Sequence, residues 1–239
     1  MVWLAAILTA ACLTTALSRE WQRPAGWQHY RISTRTAASG AWRQMPGTYV
    51  VLETTAGEIV LRMLPDVAPA TVANFVGLVE GTREFIDHRT GARVKRPFYD
   101  GLTFHRVLRD VMIQGGCPRG DGTGGPGYLL ADERPIRAPY TRGAVCMARI
   151  PGRPNTAGSQ FFILLSDVEG QLPREYVVFA RVVSGMEVAD AIGRAPTTAN
   201  PHDPTEQSTP LQPVVIRRAV VVRIPVRGGR GGAAPTRPR

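Results

Sequence analysis

Cysteine and histidine are scarce in this chain: three of one and four of the other in 239 residues. Cys12 falls in an N-terminal apolar run, which leaves Cys117 and Cys146 for the body of the protein. Two cysteines are too few for a disulfide framework, and neither sits at a metal-ligand spacing. A single bridge would need their Cα atoms within about 7 Å. Cys146, inside the apolar run AVCMA, instead suits a small buried hydrophobe. His29 and His202 lie in polar stretches, so few general bases are available. Ser159 in AGSQFF lacks the Gly-x-Ser-x-Gly elbow, which argues against a serine hydrolase. The uncharged stretch 2–17 has 16 residues, short of the about 20 that span a bilayer comfortably.

That stretch reads as a targeting segment. Ala16 and Ser18 place small residues at −3 and −1 of a cut before Arg19, as a secretory signal requires. The expectation is an extracytoplasmic protein, periplasmic or secreted, in which residues 1–18 are either cleaved or kept as a membrane tether. Net charge is +10, but it is unevenly placed. Residues 1–50 carry five Arg and one acid, and residues 207–239 seven Arg and no acid. Between them, 51–206 hold 17 basic and 18 acidic residues, so the central region is nearly neutral. The basic flanks read as solvated tails, and no nucleic-acid partner is expected despite the RGGRGG run.

Residues 19–47 are polar, with scattered tryptophans, and read as a linker or an arm laid over the domain. The domain is expected over 48–225, followed by a disordered Arg/Gly/Pro-rich tail at 226–239. YVVLETT and EIVLRML flank Ala56-Gly57, the pattern of a hairpin. In PDVAPATVANFVGLVEG, Pro69 suits the first helical turn, Val72, Phe75, Val76 and Val79 share one face, and Gly81 is a stop. A second helix is expected at 186–192, closed by Gly193 and Pro196. The other apolar runs, LTFHRV, VMIQGG, GAVCMAR, SQFFILL, YVVFARVV and VVIRRAVVVRI, are short and separated by turns. Many strands with two helices point to a mainly β fold, a closed antiparallel barrel.

The chemistry-bearing blocks are FHRVLRDVMIQGG at 104–116 and PNTAGSQFFILL at 154–165. Arg106 and Gln114 stand among apolar residues, and Gln114 interrupts a run that a purely structural strand would fill with hydrophobes. Its amide oxygen can hold a guanidinium in one rotamer. His105 and Arg106 are adjacent in a strand, so they should point to opposite faces, and His105 reads as a structural hydrogen-bonder. In GGCPRGDGTGGPG (115–127), Gly120, Gly122 and Gly125 satisfy G-x-G-x-x-G, but Pro126 and Gly127 follow where a dinucleotide site needs a helix. The stretch reads as a surface loop.

Together these blocks resemble the cyclophilin family of peptidyl-prolyl cis/trans isomerases, over roughly 48–225. The resemblance implies an eight-stranded closed barrel with two helices and rotation of X–Pro peptide bonds in support of protein folding. Arg106 then matches the catalytic arginine and Gln114 its polar partner. His105, Val111, Met112, Ala148, Arg149, Phe162, Leu172 and Tyr176 match residues that hold the substrate, Ala148 and Arg149 through their backbone. No metal or cofactor is implied, the partners are proline-containing polypeptides, and a monomer is expected. Three departures stand out. Val111 replaces the usual Phe, and RDV replaces a commoner Pro-Gly-Phe. Gln171 replaces the Trp that eukaryotic members use for cyclosporin. The loop 149–155 is longer than usual. The thinner wall at Val111 motivates a competing reading, a proline-peptide-binding module or chaperone with little turnover.

Overall fold

A computed structural model describes residues 40–133 and 138–226. Residues 1–39, with the expected targeting segment and most of the expected arm, and residues 227–239, with the expected tail, lie outside the described residues. Among the described residues, no helix is long and apolar enough to cross a membrane.

The fold is mainly β. Eight strands form one antiparallel sheet: β1 (Gly47–Thr54), β2 (Gly57–Met63), β5 (Phe104–Leu108), β6 (Met112–Gly115), β7 (Ala144–Met147), β8 (Phe161–Leu164), β9 (Val178–Ser184) and β12 (Ile216–Ile224). Their order is β12-β1-β2-β9-β7-β8-β6-β5. Two short pairs lie outside it, β3 (Phe85–Ile86) with β4 (Arg93–Val94), and β10 (Thr197–Asn200) with β11 (Asp203–Pro210). The expected closed barrel is therefore corrected: the sheet is an open, strongly curled half-barrel whose edge strands are β12 and β5. Those edges meet only at a corner, through an isolated bridge between Thr103 and Val215 and a few flanking backbone bonds such as Ile216 N–H to the Leu102 carbonyl, 2.8 Å. Pro213 just upstream of β12, which has no N–H to give, suits a break in the ladder there.

Both expected helices form, α1 over Pro69–Glu80 and α2 over Met186–Gly193. The periodic face of α1 is buried as its spacing predicts, with Phe75 fully buried among Tyr99, Phe161 and Phe179 at ring-centroid distances of 4.8, 5.4 and 4.9 Å. Gly81 ends the helix with φ 71°, the left-handed cap that a glycine adopts without a Cβ penalty. The N-terminus is capped from afar. Its N-cap residue, Ala68, has no side-chain oxygen, and the Glu133 carboxylate takes the Ala70 N–H at 2.9 Å and the Thr71 N–H at 2.8 Å. An anion there satisfies orphan donors and complements the helix dipole. Glu133→Ala is expected to lower unfolding free energy by about 1–2 kcal/mol, with Glu133→Gln recovering part of it. Urea unfolding of the three proteins checks this, and an unchanged midpoint in Glu133→Ala would discount the cap.

The arm is not wholly separate from the domain. A 3-10 turn at Ala41–Gln44 inserts Trp42, 2 % exposed, against Tyr49 with ring centroids 5.0 Å apart, and the Tyr49 hydroxyl donates to the Met45 carbonyl at 2.9 Å. Residues 41–46 thus belong to the packed body, ahead of the expected start at 48.

Candidate active site

Strand alternation gives the central strands two distinct faces. Register pairs Arg106 with Gln114, Gln114 with Phe162 and Phe162 with Cys146, a row across β5, β6, β8 and β7. Two residues along, Met112 pairs with Leu108 and with Leu164. These side chains share one face, where Met112, Cys146, Phe162 and Leu164 form an apolar cluster flanked by Val111, Ala148, Leu172 and Tyr176. The intervening residues, Phe104, Val107, Ile113, Val145, Met147, Phe161 and Ile163, point the other way into the main core under α1. FHRV, MIQG and FFIL therefore each serve a core and a site at once.

The site face opens as a groove of about 1190 Å³. All ten residues singled out from the sequence line it: His105, Arg106, Val111, Met112, Gln114, Ala148, Arg149, Phe162, Leu172 and Tyr176. Phe162 and Tyr176 meet edge to face, with centroids 5.3 Å apart at 83°. Gln171 also lines the groove and is exposed. The RDV turn keeps its place. Asp110 adopts φ 59°, a left-handed conformation that a short polar side chain tolerates, and Val111 is delivered to the wall.

His105 is the main departure from expectation. The β5–β6 register slips between Phe104 and Arg106, so two residues oppose one and the alternation breaks. Phe104 and Val107 both face the core, and His105 joins Arg106 on the groove side. The imidazole is 7 % exposed, and neither ring nitrogen makes a well-aligned hydrogen bond, although the Thr103 carbonyl and the Gln160 side chain lie close enough to favour its protonated form. Burial pulls its pKa down to about 4, only partly offset by the nearby Thr103 carbonyl.

Arg106 is held on two sides. Gln114 Oε1 accepts from Nη1 at 3.3 Å, as its placement in the sequence suggested. Glu206, on β11, accepts from Nε at 2.7 Å and from Nη2 at 2.5 Å, each side chain of the pair being 17 % exposed. Burial pushes the Glu206 carboxyl up, but hydrogen bonds from Arg106 and Ser208 outweigh it and hold the group at about 2. Glu206 was not anticipated from the sequence. Its signal is weak: Glu206 and Ser208 alternate on one strand face in a segment rich in Pro, Thr and Asp that reads as loop.

Behind Arg106 the polar chain continues. Gln114 Nε2 donates to Gln160 Oε1 at 2.9 Å, and Gln160 Nε2 donates to the Gly122 and Gly124 carbonyls at 2.7 and 2.8 Å, tying the glycine-rich loop to the site. Among the described residues, no helix follows that loop directly, and 128–133 are non-helical. Gly116 is obligatory in it: φ is 84°, and a Cβ would lie 2.4 Å from the Ser159 carbonyl. Ser159 is fully buried and donates to the Gly116 carbonyl at 2.8 Å, a structural role.

Arg149 lines the groove, but its buried guanidinium is tied by ion pairs to the buried Asp132 at 2.7 Å and the partly exposed Glu175 at 2.6 Å. Only its main chain is left to serve a substrate. Cys117 and Cys146 are both free and buried, and burial drives the Cys146 thiol far up in pKa. Among the described residues, no group of three or more His, Cys, Asp or Glu could hold a metal ion.

The family model for cyclophilin type peptidyl-prolyl cis-trans isomerases matches residues 49–221. The chain belongs to this family. It is 42 % identical over 175 residues to peptidyl-prolyl cis-trans isomerase B of Streptomyces anulatus, covering 72 % of this chain and 95 % of that one. It is 39 % identical over 167 residues to a probable peptidyl-prolyl cis-trans isomerase A of Mycobacterium leprae, covering 69 % and 87 %. Among solved structures, a Cryptosporidium parvum cyclophilin crystallised in the presence of the dipeptide Ala-Pro superposes with TM-score 0.59 at 28 % identity, covering 74 % of this chain and 99 % of that one. This cyclophilin is accordingly an enzyme of the peptidyl-prolyl isomerase class.

Proposed function

We propose that this cyclophilin rotates X–Pro peptide bonds by hydrogen-bonding the twisted amide through Arg106, with the proline ring seated on Met112, Phe162 and Leu172. The observation that carries the proposal is the row Arg106–Gln114–Phe162, which puts an oriented cation beside an apolar wall on one sheet face.

The X–Pro bond resists rotation by about 20 kcal/mol because amide resonance must be broken. As the bond twists, the proline nitrogen regains a lone pair that the planar amide lacks. A guanidinium aimed at that nitrogen stabilises the twisted state more than the planar one, the condition for catalysis. About 3–4 kcal/mol of such preference would give roughly 10²–10³-fold in rate. The apolar wall grips the ring while the preceding carbonyl swings, and the backbone at Ala148 and Arg149 fixes the peptide chain. The reaction as drawn moves no proton to or from the protein.

A protease-coupled isomerisation assay on the purified protein tests this. Acceleration of the cis-to-trans step in an Ala-Pro peptide is expected. Peptide binding without acceleration would replace the proposal with the binding-module reading. The wall can be tested separately. Val111→Phe adds about 50 Å² of apolar contact, worth about 1 kcal/mol and roughly a five- to ten-fold tighter peptide complex. Calorimetric titration with the same peptide checks it, and unchanged affinity in a folded variant would place the proline ring elsewhere in the groove.

A further inference from the structure

We infer that Glu206 is a positioning residue for isomerisation, setting Arg106 so that its remaining donors face the substrate. The inference rests on Arg106 being the catalytic group. A guanidinium has five N–H donors. Glu206 takes the Nε–H at 2.7 Å and one Nη2–H at 2.5 Å, and Gln114 takes one Nη1–H at 3.3 Å. One N–H remains on each terminal nitrogen. The carboxylate grips the side of the fork, through Nε and Nη2, and leaves donors at its end. A group acting as a brake would sit on that end.

Glu206 is itself fixed. Ser208 Oγ donates to its Oε1 at 2.5 Å and Asn200 Nδ2 to the same oxygen at 3.3 Å, so both strands of the β10–β11 hairpin converge on the carboxylate. The hairpin makes a second contact at the groove, His202 Nε2 lying 3.8 Å from Asp121 Oδ2 of the glycine-rich loop. Its register shifts at Thr198/Ala199 and Ala199/Asn200, and β11 packs on β5 with the carboxylate against Arg106. Arg106 is thereby clamped between β6 and β11 before a substrate arrives, and the side-chain freedom a mobile arginine would lose in the transition state is already removed.

The test compares wild type, Glu206→Ala, Glu206→Gln and Arg106→Ala by kcat and KM for an Ala-Pro peptide, and follows the Arg106 Nε–H resonance by NMR in the first three. Glu206→Ala should lower kcat about 10- to 100-fold, the scale of a misplaced catalytic group, while KM changes little. The Arg106 Nε–H signal should lose its exchange protection. Glu206→Gln keeps one acceptor and should recover part of both readouts; being isosteric, it carries the test if the alanine variant does not fold. A kcat at or above wild type in either Glu206 variant, with the Nε–H signal altered, overturns the inference and makes the carboxylate a brake or a bystander. Activity surviving in Arg106→Ala would instead remove Arg106 from catalysis, a failure distinct from the loss of the Glu206 role alone.

Discussion

Arg106→Ala is expected to lower kcat/KM for an Ala-Pro peptide by about 10²–10³-fold, the usual loss when one preorganised donor to the transition state is removed. The same change strands Glu206, whose carboxylate then has Ser208 and Asn200 for partners but no cation. Breaking a fully buried pair costs about 3–5 kcal/mol. Here each side chain retains 17 % exposure, so about 2–3 kcal/mol is expected. A lost activity could therefore be blamed on a loosened fold. Two further variants separate the effects. Arg106→Lys keeps the charge but not the planar fork that meets both Glu206 and Gln114, so it should stay folded and still lose most activity. Arg106→Ala combined with Glu206→Gln removes the stranded charge and should regain stability without regaining turnover. Urea unfolding and the coupled assay, run on all four proteins, give the comparison. A folded Arg106→Ala with wild-type turnover would defeat the mechanism.

The site was legible in the sequence where local spacing and register agree. FHRV, MIQG and FFIL are short runs whose polar residues, His105 and Arg106 in the first and Gln114 in the second, stand at fixed places, and antiparallel pairing brings Arg106, Gln114 and Phe162 into one row. The helix at Pro69–Glu80 was legible for a similar reason: its apolar residues keep one period, and Pro69 and Gly81 mark its ends. Three features were not. The closed barrel failed because alternation along strands says nothing about whether the last strand finds the first. The placement of His105 failed because a bulge inserts one residue into β5 and inverts the parity on which the face assignment depends. Glu206 failed because its partner is 100 residues away and its strand has no apolar face to announce it. The cap on α1 escaped for the same reason, since Glu133 reaches Thr71 across 62 residues. Long-range polar pairing leaves almost no local trace, and in this protein it sets the orientation of Arg106.

The bulged placement of His105 is expected to make the fold sensitive to acid. His105 is 7 % exposed, and burial holds its folded pKa at about 4, whereas an unfolded chain titrates near 6.5. Between those values the unfolded state binds the proton and the folded state does not, so unfolding free energy falls as pH drops from about 6.5 towards 4. The loss from this group is on the order of 2–3 kcal/mol by pH 4.5. Glu206 acts in the same direction but in a lower window. Its carboxyl is held at about 2 in the fold, so its contribution is intact above the unfolded value of about 4.3 and is lost only as pH falls below that. Urea unfolding at pH 7 and pH 4.5 therefore reads mainly His105. His105→Phe, which fills a similar space and cannot titrate, should lose less stability than wild type over that interval by the same 2–3 kcal/mol. Equal losses in the two proteins would mean that the imidazole gains water or a partner on protonation. The result bears on the groove as well, because a charged His105 would stand beside Arg106 and beneath the loop at Gly122, whose Cβ position lies 3.6 Å from Nε2. With the imidazole neutral above pH 5, the charge of Arg106, the cation proposed to act on the substrate, is unaffected, and turnover should be flat from about pH 6 to 8.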